Sequence, residues 1–171
     1  MEAPMSSFYI QKTIKLGLYK TPDKYYEALN EMGAFYDDRI IGDKEVRKEI
    51  RCSQIETEVD LVLRSSADLG FKIRYPVKEV KYRDVCARAV ESGFQLCPAE
   101  MGPALRLQYK DQSRGRAVYI GMDPIIDREG VNRIFVVGRG YDNGLFWLIG
   151  DHIADRYGIT VETPLVFICP R

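Results

Sequence analysis

The apolar period of this chain changes once, decisively, and that change constrains the fold more than any other feature. Two helical stripes dominate the sequence up to Gly93, and a spacing of two takes over from Ala104 onward. In the first stripe, Tyr25, Ala28, Leu29 and Met32 fall at i, i+3, i+4 and i+7. Thr21-Pro22-Asp23 supplies an N-cap, a proline tolerated at the first helical position and an acid for the positive first turn. Gly33 stands where a left-handed residue ends a helix, so a helix is expected over 22–32. The second stripe, Tyr82, Val85, Cys86, Ala89 and Val90, predicts a helix over about 80–92 with Gly93 as its stop and Phe94 as the accompanying apolar contact. Val77-Lys78-Glu79 offers this second helix no N-cap side chain.

After the switch, Leu105, Leu107 and Tyr109 alternate with Arg106, Gln108 and Lys110, which predicts a strand. Further strands are expected over Ala117–Met122, Asn132–Gly138, Leu145–Ile149 and Leu165–Cys169, separated by turn residues that include Asn143-Gly144, a strong hairpin signal. Earlier in the chain, Ser7 to Leu18 reads as a strand or two, Lys44–Ile50 as a short helix, and Glu58–Arg64 as a strand. Ser65 to Phe71 reads as one helical turn closed by Gly70, and Lys72–Lys78 as a connection. The expected fold class is α+β, with helices in the N-terminal half packed on a twisted, mainly antiparallel and barrel-like sheet from the C-terminal half. One domain is expected over 1–171, with a β/α part at 1–66 and a helix plus antiparallel meander at 77–171. The two helix-Gly-Phe units do not superpose at their apolar positions, so no repeat is assigned.

Between helix and sheet lies ESGFQLCPAEMGPALRLQY, residues 91–109. Pro98 suits a helical first turn that would contain Glu100, and Met101-Gly102-Pro103 is expected to end it quickly. One reading makes this a one-turn corner in which Glu100 binds free amides or pairs with an arginine. The other makes Glu100, Arg106 and Gln108 a polar cluster at the sheet edge, with Asp111 and Gln112 beside it, able to bind a polar ligand or a peptide end.

The 25 Lys and Arg balance the 25 Asp and Glu, so no strong basic face calls for duplex nucleic acid. Between Lys20 and Asp60 the balance is mildly acidic, seven against eleven, as a solvated face would be. The N-terminus lacks the basic and apolar regions of a signal peptide, and no apolar run approaches the roughly 18 residues of a membrane span. Cys52, Cys86, Cys97 and Cys169 form no C-x-x-C pair, so buried thiols in a cytoplasmic protein are expected rather than zinc or disulfides. Cys97 as a nucleophile would need a base, and the sole histidine, His152, is distant in sequence. Asp151, His152 and Asp155 make at best a partial metal shell. Gly138 to Gly144 contains G-x-G but opens no helix, so it reads as a hairpin loop and not a dinucleotide fingerprint. Arg114, Arg116, Arg128, Arg133 and Arg139, with Tyr109, Tyr119, Tyr141 and Trp147, would suit single-stranded nucleic acid if they shared a sheet face. Zero net charge and the ordinary snorkelling of arginines weigh against that partner, and core packing and cross-strand pairing account better for such aromatics.

The run LCPAEMGPALRLQYKDQ, preceded by EVDLVLRSSADLGF and VCARAVESGF, resembles a widespread group of uncharacterised bacterial proteins common in candidate-phylum genomes. The resemblance spans roughly Ile14 to the C-terminus, specific in the middle and looser beyond Gly138. Asp123 stands before Pro124 where that group usually carries Glu, and the last strand, Leu165 to Cys169, is less basic than theirs. It implies an intact domain of bacterial, cytoplasmic origin and supplies no reaction. The expected function is therefore a non-catalytic binding domain for a protein partner or for itself, with no cofactor, metal or membrane. A small hydrolase or transferase using Glu100 and Arg106, and a single-stranded nucleic-acid binder, are the alternatives.

Overall fold

The computed structural model describes residues 12–72, 79–152 and 158–171. The chain opens with β1 (Lys12–Leu16) and turns into α1 (Pro22–Met32). The Thr21 hydroxyl accepts from the Lys24 amide at 3.3 Å, and Gly33, at φ 73°, closes the helix through its N–H to the Asn30 carbonyl. After β2 (Phe35–Tyr36) comes α2 (Lys44–Arg47), whose N-cap Asp43 accepts from the Glu45 and Val46 amides at 2.9 and 3.2 Å. Then follow β3 (Thr57–Arg64), β4 (Glu79–Val80) and α3 (Tyr82–Glu91), which lacks a side-chain N-cap. The Phe94 amide bonds the Ala89 carbonyl at 3.1 Å beyond Gly93, as a left-handed stop requires. The remaining elements are α4 (Met101–Gln108), β5 (Ala117–Ile120), β6 (Ile125–Ile126), β7 (Asn132–Arg139), β8 (Phe146–Asp151), β9 (Ile159–Thr160) and β10 (Leu165–Cys169).

Seven strands line up as β1-β3-β10-β5-β7-β8-β2 in a sheet curled into a half-barrel, and β6 pairs the outer part of β7. Pairing is antiparallel except at β10–β5 and β2–β8. Register places Ile14, Leu61, Val166, Val118, Val137 and Leu148 on one face. On that side α4 packs against β1, β7, β8 and α1. Phe167 points the other way, where Phe94 stacks on it with ring centroids 6.4 Å apart. The fold class is α+β, but the layers do not divide by halves of the chain. Strands β1, β2 and β3 join the sheet from the first half, and helix α4 belongs to the second. Nor do the later strands form one meander, because β10 leaves it to lie between β3 and β5.

The expected strand over Leu105–Tyr109 is instead the second half of α4 and its C-cap, Tyr109. Residues 101–106 are all buried, so burial on every side erases the contrast on which a helical period depends. Pro103 breaks nothing because it lies in the first turn, where amides have no intrahelical partner, and the Ala99 carbonyl takes the Gly102 amide instead. Gly102 has its own reason, since a Cβ there would overlap the Phe135 ring on β7. The expected strand signal of Phe8 and Ile10 and the connection around Pro76 lie outside the described residues. No described helix is long and apolar enough to cross a membrane.

Candidate functional site

With a helix in place of the strand, the polar face that was to gather Glu100, Arg106 and Gln108 no longer exists, and each has its own partners. Glu100 is fully buried: Oε1 accepts from the Gly17 amide at 2.7 Å and the Tyr25 hydroxyl at 2.6 Å, and Oε2 from the Ser53 amide at 2.8 Å. It thereby ties α4 to the chain after β1, to α1 and to the loop before β3. Arg106, also fully buried, donates to the Gly138 carbonyl at 2.7 Å, the Tyr109 carbonyl at 2.6 Å and Gln112 Oε1 at 2.8 Å, and lies over the Phe146 ring. Burial, with Arg139 nearby, lowers its guanidinium to about 10. Gln112 passes the network on to the Val137 carbonyl. Gln108 behaves like a strand residue: its Oε1 accepts from the Lys15 amide at 2.9 Å and its Nε2 donates to the Lys15 carbonyl at 2.8 Å, covering the outer edge of β1. Asp111 alone is exposed, paired with Lys12 at 2.6 Å. Arg106 and Gln112 are thus brought together, and Glu100, Gln108 and Asp111 are not.

Most of the other candidates are engaged elsewhere. Burial pushes the Cys97 thiol far up and raises Cys52 and Cys86 each to about 11, the wrong direction for a nucleophile near neutrality. His152 Nδ1 lies 3.9 Å from Asp151, Asp155 falls outside the described residues, and no described group of three side chains is arranged to hold a metal. Gly138 to Gly144 forms the β7–β8 hairpin, closed by the Gly140 amide on the Leu145 carbonyl. Among the arginines, Arg128 pairs with Asp43, Arg133 with Asp127 in the interior, and Arg139 lies on Phe146.

What sequence reasoning missed is an open groove of about 840 Å³. It exists because β5 and β6 are not continuous. Tyr119 faces Val136 and Ile125 faces Arg133, so six steps along one strand match three along β7, and residues 121–124 leave the β7 ladder. The Tyr82 hydroxyl fixes this excursion, accepting from the Met122 amide and meeting the Ile120 and Met122 carbonyls at 2.8–2.9 Å. Pro98, Ala99, Val46, Glu49, Arg51 and residues 125–128 line it. The Asp127 amide bonds the Val131 carbonyl, so alternation turns the Ile125 backbone toward β7 and the Ile126 N–H and C=O toward the groove. Ile126 is 62% exposed.

Charge in the groove is partly spent and partly free. Burial pushes the Asp127 carboxyl up, but Arg133 and the Val131 and Glu129 amides outweigh it and hold it below its ordinary value. Among the described residues Glu49, Asp123 and Arg51 enter no ion pair, which leaves two carboxyl groups against one guanidinium. Across the Asp123-Pro124 ridge a second groove of about 500 Å³ runs past Tyr82, Cys86 and half-exposed Val90. The one signal in the sequence was Asp123-Pro124 itself, a break inside an otherwise strand-like run. No protein-family model, curated protein or solved structure matches the chain.

Proposed function

We propose that the protein is a binding domain with no reaction of its own, and that its working surface is the groove beside β6. An extended protein segment adds there as a strand, pairing with the Ile126 N–H and C=O and packing its apolar side chains on Ile126, Val46 and Pro98. The observation that carries this reading is the outward-turned Ile126 backbone over an open groove. Short length and Pro124, which has no N–H to offer, blunt this edge against indiscriminate pairing. The unpaired Glu49 and Asp123 favour a segment that brings Lys or Arg beside its apolar residues. The dry settings of Glu100, Arg106 and Cys97 support binding over hydrolysis or transfer, and the separate engagements of Arg128, Arg133 and Arg139 support a protein partner over nucleic acid.

The test is fluorescence anisotropy with labelled nine-residue peptides of alternating Val or Ile with Lys, with Glu, or with Ser. Saturable binding that ranks Lys above Ser above Glu is expected. A Glu49→Lys/Asp123→Lys variant should weaken the Lys peptide by about tenfold or more, the worth of one charge-assisted hydrogen bond, with an unchanged thermal midpoint. Equal binding by that variant, or binding of a labelled oligouridine with no peptide bound, overturns the reading.

A further inference from the structure

A third opening shares no residue with either groove. Helix α4 lies across the concave face of the half-barrel but stops at Gln108, short of one end of the sheet. Register places Leu61, Leu63, Val166 and Val118 together on that face, and beyond the last turn of α4 they enclose, with Leu105, a cavity of about 250 Å³. Leu and Val side chains stand around its inner part, and polar groups make up about half of the surface it exposes. Tyr109, Lys12 and Asp111 stand at the mouth, with Lys12 Nζ 2.6 Å from Asp111 Oδ1 and 5.0 Å from the centre of the Tyr109 ring.

The two charges at this mouth are not equivalent. The Lys12 side chain is only 25% exposed, drawn in over Tyr109, whereas Asp111 is 77% exposed and reaches back from the solvent. An ammonium carries three donors, and Asp111 takes one of them. The mouth of a barrel, apolar within and with one withdrawn cation, is a common form of small-ligand site. We infer that this cavity binds a small amphipathic carboxylate, its hydrocarbon tail among Leu61, Leu63, Val118 and Val166 and its carboxylate on Lys12. A cationic head would meet the Lys12 ammonium first, and a neutral one would gain only the tail contacts. A chain of about eight carbons fills such a volume, and a ligand of that size binds with a Kd on the order of 0.1–1 mM.

Octanoate, octylammonium and octanol, titrated into the full chain with methyl-labelled Leu and Val, form the experiment. Octanoate should shift the methyl signals of Leu61, Leu63, Val118 and Val166 saturably, and octylammonium should not. Lys12→Met, which removes an ion pair to an exposed partner, should keep the fold and weaken octanoate by about tenfold while leaving octanol as it was. Leu63→Trp, at a half-buried position, should block octanoate and octanol together. No saturable shift by 10-fold excess over the expected Kd, equal octanoate binding by Lys12→Met, or octylammonium binding as tightly as octanoate, each overturns the inference. None of these outcomes bears on the peptide groove.

Discussion

At the scale of single residues, this protein shows how far a side chain's role depends on whether water reaches it. Glu100 and Asp60 are both carboxyl groups with three hydrogen bonds, yet Glu100 is sealed in the interior and Asp60 lies within β3, between Thr13 of β1 and Cys169 at the end of β10. Arg171 meets Asp60 at 2.9 and 3.1 Å and Thr13 donates at 2.6 Å, and these bonds hold the Asp60 carboxyl down at about 2 from an ordinary 3.8. Because the folded value lies below the unfolded one, the contribution to stability is complete above about pH 4 and lost as pH falls through about 2. A carboxyl-carbon NMR titration should therefore place the Asp60 midpoint near 2, and Arg171→Ala should raise it toward the ordinary value. A midpoint unchanged by that substitution would show that Arg171 does not hold the group.

At the scale of elements, α4 is the piece that joins the layers, and its polar side chains act as structural connectors. Gln108 stands in for a neighbouring strand along β1, Arg106 and Gln112 gather carbonyls from β7 and the turn after α4, and Glu100 collects amides from two loops. Replacing Glu100 by Gln puts a donor where Oε1 or Oε2 accepts, and one buried amide or the Tyr25 hydroxyl loses its partner. The expected cost is about 1–3 kcal/mol, read as a lower urea midpoint with an unchanged slope. A midpoint equal to that of the parent chain would mean that the corner does not need this carboxyl group. The local signals around α4 were real but misleading: two prolines, a glycine and an alternating run describe a loop and a strand unless the surroundings are known.

At the scale of the molecule, the last strand is the keystone of the sheet. Strand β10 carries fully buried Leu165 and Phe167 and lies between β3, about a hundred residues earlier, and β5. Neither neighbour can pair across the gap it fills, so the half-barrel closes only when the end of the chain arrives. Such non-local pairing makes folding slow compared with a helical bundle. A chain ended at Pro164 should lose the cooperative thermal transition and the dispersed amide spectrum of the full chain. A cooperative transition retained by that shortened chain would place the keystone elsewhere.

The sequence alone determined what is settled within a few residues: α1 with its Thr21 cap and Gly33 stop, the Gly93 end of α3, the Asn143-Gly144 hairpin and the class of the fold. Those features rest on local hydrogen bonds and on backbone conformations that particular residues favour. Tertiary structure alone decided that 101–108 is a helix, that β10 leaves the meander, and that Glu100 and Arg106 face the interior. It alone opened the groove beside β6, since that edge exists only where β5 and β6 slip against β7. A segment buried on every side presents no period, and a strand's partner is chosen by surfaces far away in the chain, so neither choice is written where it is made.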